Sequence, residues 1–274
     1  MRLDLLEFNE GKTQLISSIS SLNDIKNFKS YRNFFIFYGS NNMFFYKYED
    51  GNLISFKKFK SQSSTSIANL NLNFIKFLNC NKNSVSCFFE NLDKKVDLYL
   101  DEGLFTPYVI DNSKVMSIKE KNVFSGNYGI IDATINSKGN TVFCCEKLNS
   151  IYEIRSGAIY RIFGLSQNGC SVSLPIKYSR CNGPTSVERY ENGILFCDSN
   201  NKMIRYFDNK KSEIVCEFDF KPIKMKINEE EIYVLDENNV LHCYDSDFKE
   251  LNRQDNVYMF DVNKHIKKVF LIKG

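Results

Sequence analysis

The chain has 274 residues, of which 43% are hydrophobic, 14% aromatic and 25% charged, and its formal net charge is only +3. This composition is typical of a folded globular protein and excludes collagen, coiled coils and disordered linkers. The longest apolar runs, such as residues 34–38 and 269–272, are far shorter than the roughly 18 residues of a membrane span, and acidic residues interrupt the start of the chain, where a secretory signal needs an apolar core. We therefore expect a soluble cytoplasmic protein without membrane insertion.

Short runs of alternating apolar residues, bounded by Gly, Asn, Asp and Ser, recur along the whole chain, and no segment keeps a helical stripe over three turns. This pattern predicts an all-β protein. The first strands are expected at residues 3–8 and 13–18, and the last at 257–262 and 268–272. Between them we expect five units whose second strands end at Tyr38, Phe89, Cys145, Cys197 and Leu235.

The repeat of these units predicts the architecture. The unit at residues 183–218 shows four strands joined by turns, which make one antiparallel sheet. The five strand ends, with Ile272 as the sixth, are 51, 56, 52, 38 and 37 residues apart, and 40 residues lead from Ile272 through the chain ends to Tyr38. A four-stranded repeat of such a period is typical of a β-propeller.

We therefore predict one domain over residues 1–274, a six-bladed β-propeller of four-stranded antiparallel blades. Blade six is expected to combine residues of about 256–274 with residues 1–18. N-terminal strands that pair with C-terminal strands would close the ring and remove the exposed sheet edge of an open array.

Residues 158–208 carry a more specific signal. The segments Ala158-Ile-Tyr-Arg-Ile-Phe-Gly164, Gly183-Pro-Thr-Ser-Val187 and Gly193-Ile-Leu-Phe-Cys-Asp-Ser-Asn-Asn201, followed by 204–208, resemble the NHL repeat, which builds a family of six-bladed β-propellers. The unit at Leu235 keeps the Asp-x-Asn-Asn turn, and the unit at Tyr38 keeps Ser-Asn-Asn. The units at Phe89 and Cys145 follow the spacing alone.

Polar turn residues recur after the second strands, and we expect them to hold turns rather than ligands, because Asp and Asn side chains bond nearby backbone groups. They are Asp198, Asn200, Asn201, Asp236, Asn238 and Asn239.

Catalytic and cofactor motifs are missing from the sequence. It contains no nucleophile elbow, no P-loop and no dinucleotide-binding glycine motif. His242 and His265 are the only histidines, so metal sites built from several histidines are excluded, and His242 is expected to be structural. We predict no enzyme activity, no cofactor, no metal site and no small-molecule substrate.

The cysteine pattern indicates a reducing compartment. The nine cysteines include no Cys-x-x-Cys pair, and six lie in apolar segments, which favours free thiols in a reducing compartment. Cys170 and Cys181 share one loop and are treated as incidental.

Known propellers suggest two alternatives to a protein-interaction scaffold, RNA binding first and a calcium-dependent hydrolase second. Some NHL-type propellers bind single-stranded RNA on a basic face, and the candidates here are Lys119, Lys121, Lys221 and Lys224. However, 36 basic residues face 33 acidic ones, which disfavours a dedicated nucleic-acid binder. Some six-bladed propellers are calcium-dependent hydrolases, for which Asp132, Glu188 and Asp261 would supply oxygen ligands.

The favoured function is a protein-interaction scaffold, a subunit of a larger complex whose partner proteins the sequence does not identify. Two long segments, residues 111–128 and 164–183, are expected to be inter-blade loops on one face of the propeller. The second offers an apolar and aromatic group with one arginine, as interface centres do: Leu174, Pro175, Ile176, Tyr178 and Arg180. The alternative is that these side chains only pack over the propeller.

Overall fold

A computed structural model describes residues 3–9, 11–19, 25–31, 34–39, 42–50, 52–60, 75–80, 84–89, 95–99, 110–111, 130–155, 158–173, 175–264 and 266–273. The chain forms two compact units, residues 1–73 with 226–274, and residues 74–225. Across the described ranges, no helix is both long enough and apolar enough to cross a bilayer.

The first unit contains two complete four-stranded sheets. One follows chain order, with β3 (Ile25–Tyr31), β4 (Phe34–Gly39), β5 (Asn42–Glu49) and β6 (Asn52–Lys60). The other has the order β2-β1-β24-β23 and is built from β1 (Leu3–Asn9), β2 (Lys12–Ile19), β23 (Val257–Asn263) and β24 (Lys268–Lys273). A further sheet contains β19 (Pro222–Asn228), in which the border between the units falls, then β20 (Glu231–Asp236), β21 (Leu241–Tyr244) and β22 (Glu250–Gln254).

The second unit contains three four-stranded sheets among its described residues. The first consists of β7 (Ile75–Cys80), β8 (Ser84–Phe89), β9 (Lys95–Tyr99) and β10 (Ile110–Asp111), and the second of β11 (Ile130–Ile135), β12 (Thr141–Cys145), β13 (Ser150–Arg155) and β14 (Ala158–Phe163). The third consists of β15 (Pro184–Tyr190), β16 (Gly193–Asp198), β17 (Met203–Phe207) and β18 (Ser212–Glu217). The described residues of this unit also form two 3-10 helices, Ile176–Tyr178 and Ser199–Asn201. The prediction of an all-β chain with four-stranded antiparallel sheets is confirmed.

The two chain ends share one sheet. Asp4 pairs with Lys273 and Phe8 with Val269 in an antiparallel ladder. Leu5 from β1 and Phe270 from β24 belong to one buried cluster, in which the rings of Phe270 and Phe35 meet edge to face with centroids 4.7 Å apart. The predicted pairing of N-terminal with C-terminal strands is therefore present in the first unit.

A β-bulge marks the same place in five sheets. In each, one residue of the sheet's first strand is skipped where that strand begins to pair with the second, and these residues are Lys26, Lys76, Ile131, Thr185 and Tyr258. Because a bulge increases the local twist, its recurrence gives the sheets a common shape. The register makes Phe88 and Cys144 equivalent to Cys197, so the spacing-based alignment on Phe89 and Cys145 is one residue late.

Asparagine and aspartate close turns between strands, as expected from the sequence. Asp236 accepts backbone N–H bonds from Asn238 and Val240, both at 2.8 Å. In the turn between β11 and β12, Asn136 accepts bonds from the backbone of Lys138 and Asn140, both at 3.0 Å. These side chains replace backbone partners that the turn leaves unpaired.

Candidate docking surface

The long loop, residues 164–183, joins β14 to β15 in the second unit. Inside it, Ser171 and Arg180 form an antiparallel bridge with both backbone hydrogen bonds, at 3.3 and 3.2 Å. Ser179 is buried, and its hydroxyl accepts the Ser173 N–H at 3.0 Å. The long loop therefore has internal structure of its own, with the 3-10 helix at its tip.

Arg205 of β17 anchors this loop. Its guanidinium is fully buried and donates from Nη1 to the Arg180 carbonyl at 2.6 Å and from Nη2 to the Ser171 carbonyl at 2.9 Å. It also lies over the rings of Phe163 and Phe196, 5.0 and 5.7 Å from their centroids. One cation thus holds both halves of the bridge against the two sheets that flank the loop.

Asp198 completes the anchor. Its Oδ2 accepts from Arg205 Nη1 at 3.1 Å, and its Oδ1 accepts the Asn182 N–H at 2.7 Å. Burial raises the pKa of the Asp198 carboxyl, while these hydrogen bonds and the Arg205 charge act in the opposite direction. Asn201 donates to both Asp198 Oδ2 and the Gly169 carbonyl, at 3.0 and 2.8 Å. Asp198 and Asn201, expected to hold only their own turn, therefore also hold the long loop.

The predicted docking residues divide into two groups. Tyr178 is 47% exposed, and Pro175 and Arg180 are also exposed. Ile176 is only 8% exposed and packs in the core of the unit with Val142. For Ile176 the alternative interpretation applies, because its side chain seats the loop instead of facing solvent. Leu174 lies outside the described residues.

Two exposed residues of the loop were not among the docking residues predicted from the sequence. Val172 is 57% exposed, and Lys177 places its ammonium 5.2 Å from the centroid of the Tyr178 ring. Their signal is weak in sequence, since an isolated valine between two serines has no periodicity. Val172, Pro175, Lys177, Tyr178 and Arg180 together form what we call the loop surface.

A cavity of about 330 Å³ lies beside the 3-10 helix and is lined in part by Ile176 and Lys177. Its carboxylates are already engaged by amides. Glu153 Oε1 accepts from the side chain of Asn136 at 2.7 Å, and Asp208 Oδ1 accepts backbone N–H bonds that lower its pKa. For Asp208, a lowered pKa is the opposite of what a general acid in a cleft requires.

The acidic residues considered for a calcium site are used structurally. Asp132 Oδ2 accepts from Ser186 Oγ at 2.6 Å and from the Val187 N–H at 3.2 Å. In the other unit, Asp261 Oδ2 accepts from the backbone and hydroxyl of Ser30, at 2.7 and 2.8 Å. These bonds satisfy N–H groups at the open edges of first strands. Glu188 is 4% exposed.

His242 is the histidine that the structure describes. His242 is buried in β21, with Nδ1 2.7 Å from Glu250 and Nε2 3.5 Å from Asp236. Within the ranges that the structure describes, no three or more His, Cys, Asp or Glu side chains are grouped to hold a metal ion.

The basic residues considered for RNA do not form an exposed patch in the described part of the chain. Lys221 and Lys224 are half-buried, and the nearby Lys226 is only 3% exposed. Lys221 directly precedes β19, and Lys224 and Lys226 lie within it. Lys119 and Lys121 lie outside the described residues.

Comparison with solved structures identifies the architecture. The chain superposes on streptogramin B lyase with a TM-score of 0.58 and 13% identity, covering 100% of this chain and 98% of that one. The C-terminal WD40 domain of Sif2 matches with a TM-score of 0.58 and 10% identity, covering 100% and 97%. WD40 repeats build β-propellers. The fold is propeller-like.

A protein of unknown function from Bacteroides caccae matches with a TM-score of 0.56 and 10% identity, over 92% of this chain and 93% of that one. No family model and no curated protein matches the sequence. At these identities the likeness concerns the fold alone, and it supports a propeller without supporting the NHL family in particular.

Proposed function

We propose that the chain is a single six-bladed, NHL-type β-propeller that acts as a non-enzymatic protein-interaction module within a larger intracellular complex. Six four-stranded sheets among the described residues, one of them built from both chain ends, support the closed ring. The seven cysteines with described side chains are free thiols, which supports a reducing compartment.

The docking role is supported by one observation: the exposed residues of the loop surface lie on a backbone that the buried Arg205 holds in place. Binding costs less when the binding residues are already ordered, because less conformational entropy is lost. Tyr178 and Val172 are exposed, yet the backbone beside them is fixed by Arg205 through the Ser171–Arg180 bridge. Tyrosine and arginine are enriched among the residues that dominate interface energies.

The test compares two tyrosines of the same unit. Tyr178 is 47% exposed on the loop surface, and Tyr160 is 40% exposed on β14. The full chain and the variants Tyr178→Ala and Tyr160→Ala are used to capture proteins from native lysate, with and without nuclease. We expect Tyr178→Ala to lose bound protein by about tenfold or more, as removal of an interface anchor does, and Tyr160→Ala to retain it.

Val172→Ser and Val215→Ser form a second matched pair, since both valines are exposed, on the long loop and on β18 respectively. Equal capture by both members of each pair would contradict the proposal. Retention of RNA that nuclease releases, with no protein bound, would favour the RNA-binding alternative. A chain recovered alone from lysate would leave the scaffold role without support.

A further inference from the structure

Cys170 and Cys181 flank the bridge of the long loop. Ser171 and Arg180 exchange both backbone hydrogen bonds, and each cysteine is the next residue on the same side of that pair. In antiparallel strands, the positions next to a hydrogen-bonded pair face each other without hydrogen bonds, with Cα atoms about 4.5 Å apart. For Cys170 and Cys181 this geometry predicts a separation within the range of about 4.4–6.8 Å that disulfides span.

Both thiols are reduced and have separate contacts. Cys181 Sγ donates to the Asn149 carbonyl at 3.1 Å, and Cys170 Sγ lies 3.9 Å from the sulfur of Met203. Pairing therefore requires the side chains to rotate from these contacts, while the bridge keeps the two backbones in place.

The two cysteines differ in access. Cys170 is exposed, whereas Cys181 is fully buried. Burial raises the pKa of the Cys181 thiol well above its usual value, and the charges of Asp198 and of an ionised Cys170 add to this effect.

We propose that Cys170 and Cys181 are a redox-modification site, at which a reversible disulfide closes the long loop under oxidising conditions. The oxidant is a low-molecular-weight disulfide such as oxidised glutathione. The Cys170 thiolate attacks one of its sulfurs, forms a mixed disulfide and releases one small thiolate. The Cys181 thiolate then attacks the Cys170 sulfur, forms the Cys170–Cys181 bond and releases the second small thiolate.

In this exchange the two protein thiols are oxidised and one small disulfide is reduced to two thiols, so bonds and electrons balance. The new bond encloses residues 171–180, which include the whole loop surface and the 3-10 helix. A covalent closure beside the bridge restricts the opening of the loop that Arg205 already opposes. Disulfides of this kind in a reducing compartment are transient and respond to oxidation.

Mass spectrometry tests this directly, because the protease sites separate the two cysteines. Trypsin cleaves after Arg161, Lys177, Arg180 and Arg189, so Cys170 and Cys181 are each the only cysteine of peptides 162–177 and 181–189. The full chain is incubated with oxidised glutathione, then unfolded in the presence of an alkylating reagent that blocks the remaining thiols, and digested. We expect peptides 162–177 and 181–189 to be linked, and to separate on reduction.

The second step should accelerate with pH, because only the thiolate of Cys181 attacks and its raised pKa keeps the thiol protonated near neutrality. Below that pKa, the rate of conversion from mixed to internal disulfide should rise about tenfold for each pH unit.

Cys170→Ser should abolish the link without disturbing the fold, since Cys170 is exposed, and Cys216→Ser should leave it unchanged. Glutathione that stays on Cys170, or a link from Cys170 to another cysteine, would overturn the proposal. The mass readout needs no partner protein, so failure here leaves the docking role intact, and failure of the docking experiment leaves this site intact.

Discussion

Arg205 shows how one residue connects the sheet to the loop. It is fully buried, and its guanidinium bonds Asp198 and two loop carbonyls. Arg205→Met should lower the free energy of unfolding by about 3–5 kcal/mol, because it leaves the Asp198 charge buried without its counterion. Limited proteolysis of the folded variant with trypsin should then cut after Lys177 or Arg180, because the bridge has lost its anchor. Urea unfolding and limited proteolysis measure the two effects.

Two controls separate the charge from the packing. In the double variant Arg205→Met with Asp198→Asn, no unpaired charge remains buried, so part of the lost stability should return. Lys211→Ala breaks an ion pair whose partners are 56% and 46% exposed, and stability should not change measurably. If Arg205→Met were as harmless as Lys211→Ala, the guanidinium would not anchor the loop.

At the scale of the element, the long loop begins at a position that accepts only glycine. Gly164 has a φ of +89°, and a Cβ there would meet the Asn149 carbonyl oxygen and the Ser150 Cα, the latter at 2.7 Å. Gly139 has a similar φ of +79° but nothing within 4 Å. Gly139→Ala should therefore cost only backbone strain, about 1–2 kcal/mol, and Gly164→Ala about 3 kcal/mol or more. Similar losses for both in thermal unfolding would contradict this reasoning.

The strands could be predicted from the sequence because their signals are local. Alternating apolar residues and the turn residues around Asp198 and Asp236 define β16, β17, β20 and β21 within a residue or two. The anchor of the long loop could not be predicted in this way. Arg205 bonds the carbonyls of Arg180 and Ser171, which lie 25 and 34 positions before it in the sequence. The available signal was a charged residue in the otherwise apolar strand Met203–Phe207, all of whose residues are buried. Ile176 was predicted to be an interface residue because it is apolar and lies in a loop, but it packs in the core.

At the scale of the whole molecule, the chain ends are structural. Deletion of residues 1–19 would remove β1 and β2, expose the edge of β24 and take Leu5 out of the cluster around Phe35. We expect the truncated chain to lose cooperative unfolding and to aggregate, since an unpaired apolar strand edge is a site for association. Circular dichroism and size-exclusion chromatography would show this. A folded, monomeric truncation would contradict a structural role for these two strands.

A circular permutant tests whether the truncation is harmful because β1 and β2 are lost or because they stand at the N-terminus. Asp4 pairs with Lys273, so only residues 274 and 1–3 lie between the paired positions when Gly274 is joined directly to Met1. That gives a connection of the length of a tight strand-to-strand turn. New ends placed between β2 and β3 keep every strand in its sheet, so the permutant should fold and unfold cooperatively at least as well as the parent chain. Removal of β1 and β2 from the permutant, now at its C-terminus, should be as harmful as in the parent, because the loss of Leu5 and of the β24 partner is the same in both.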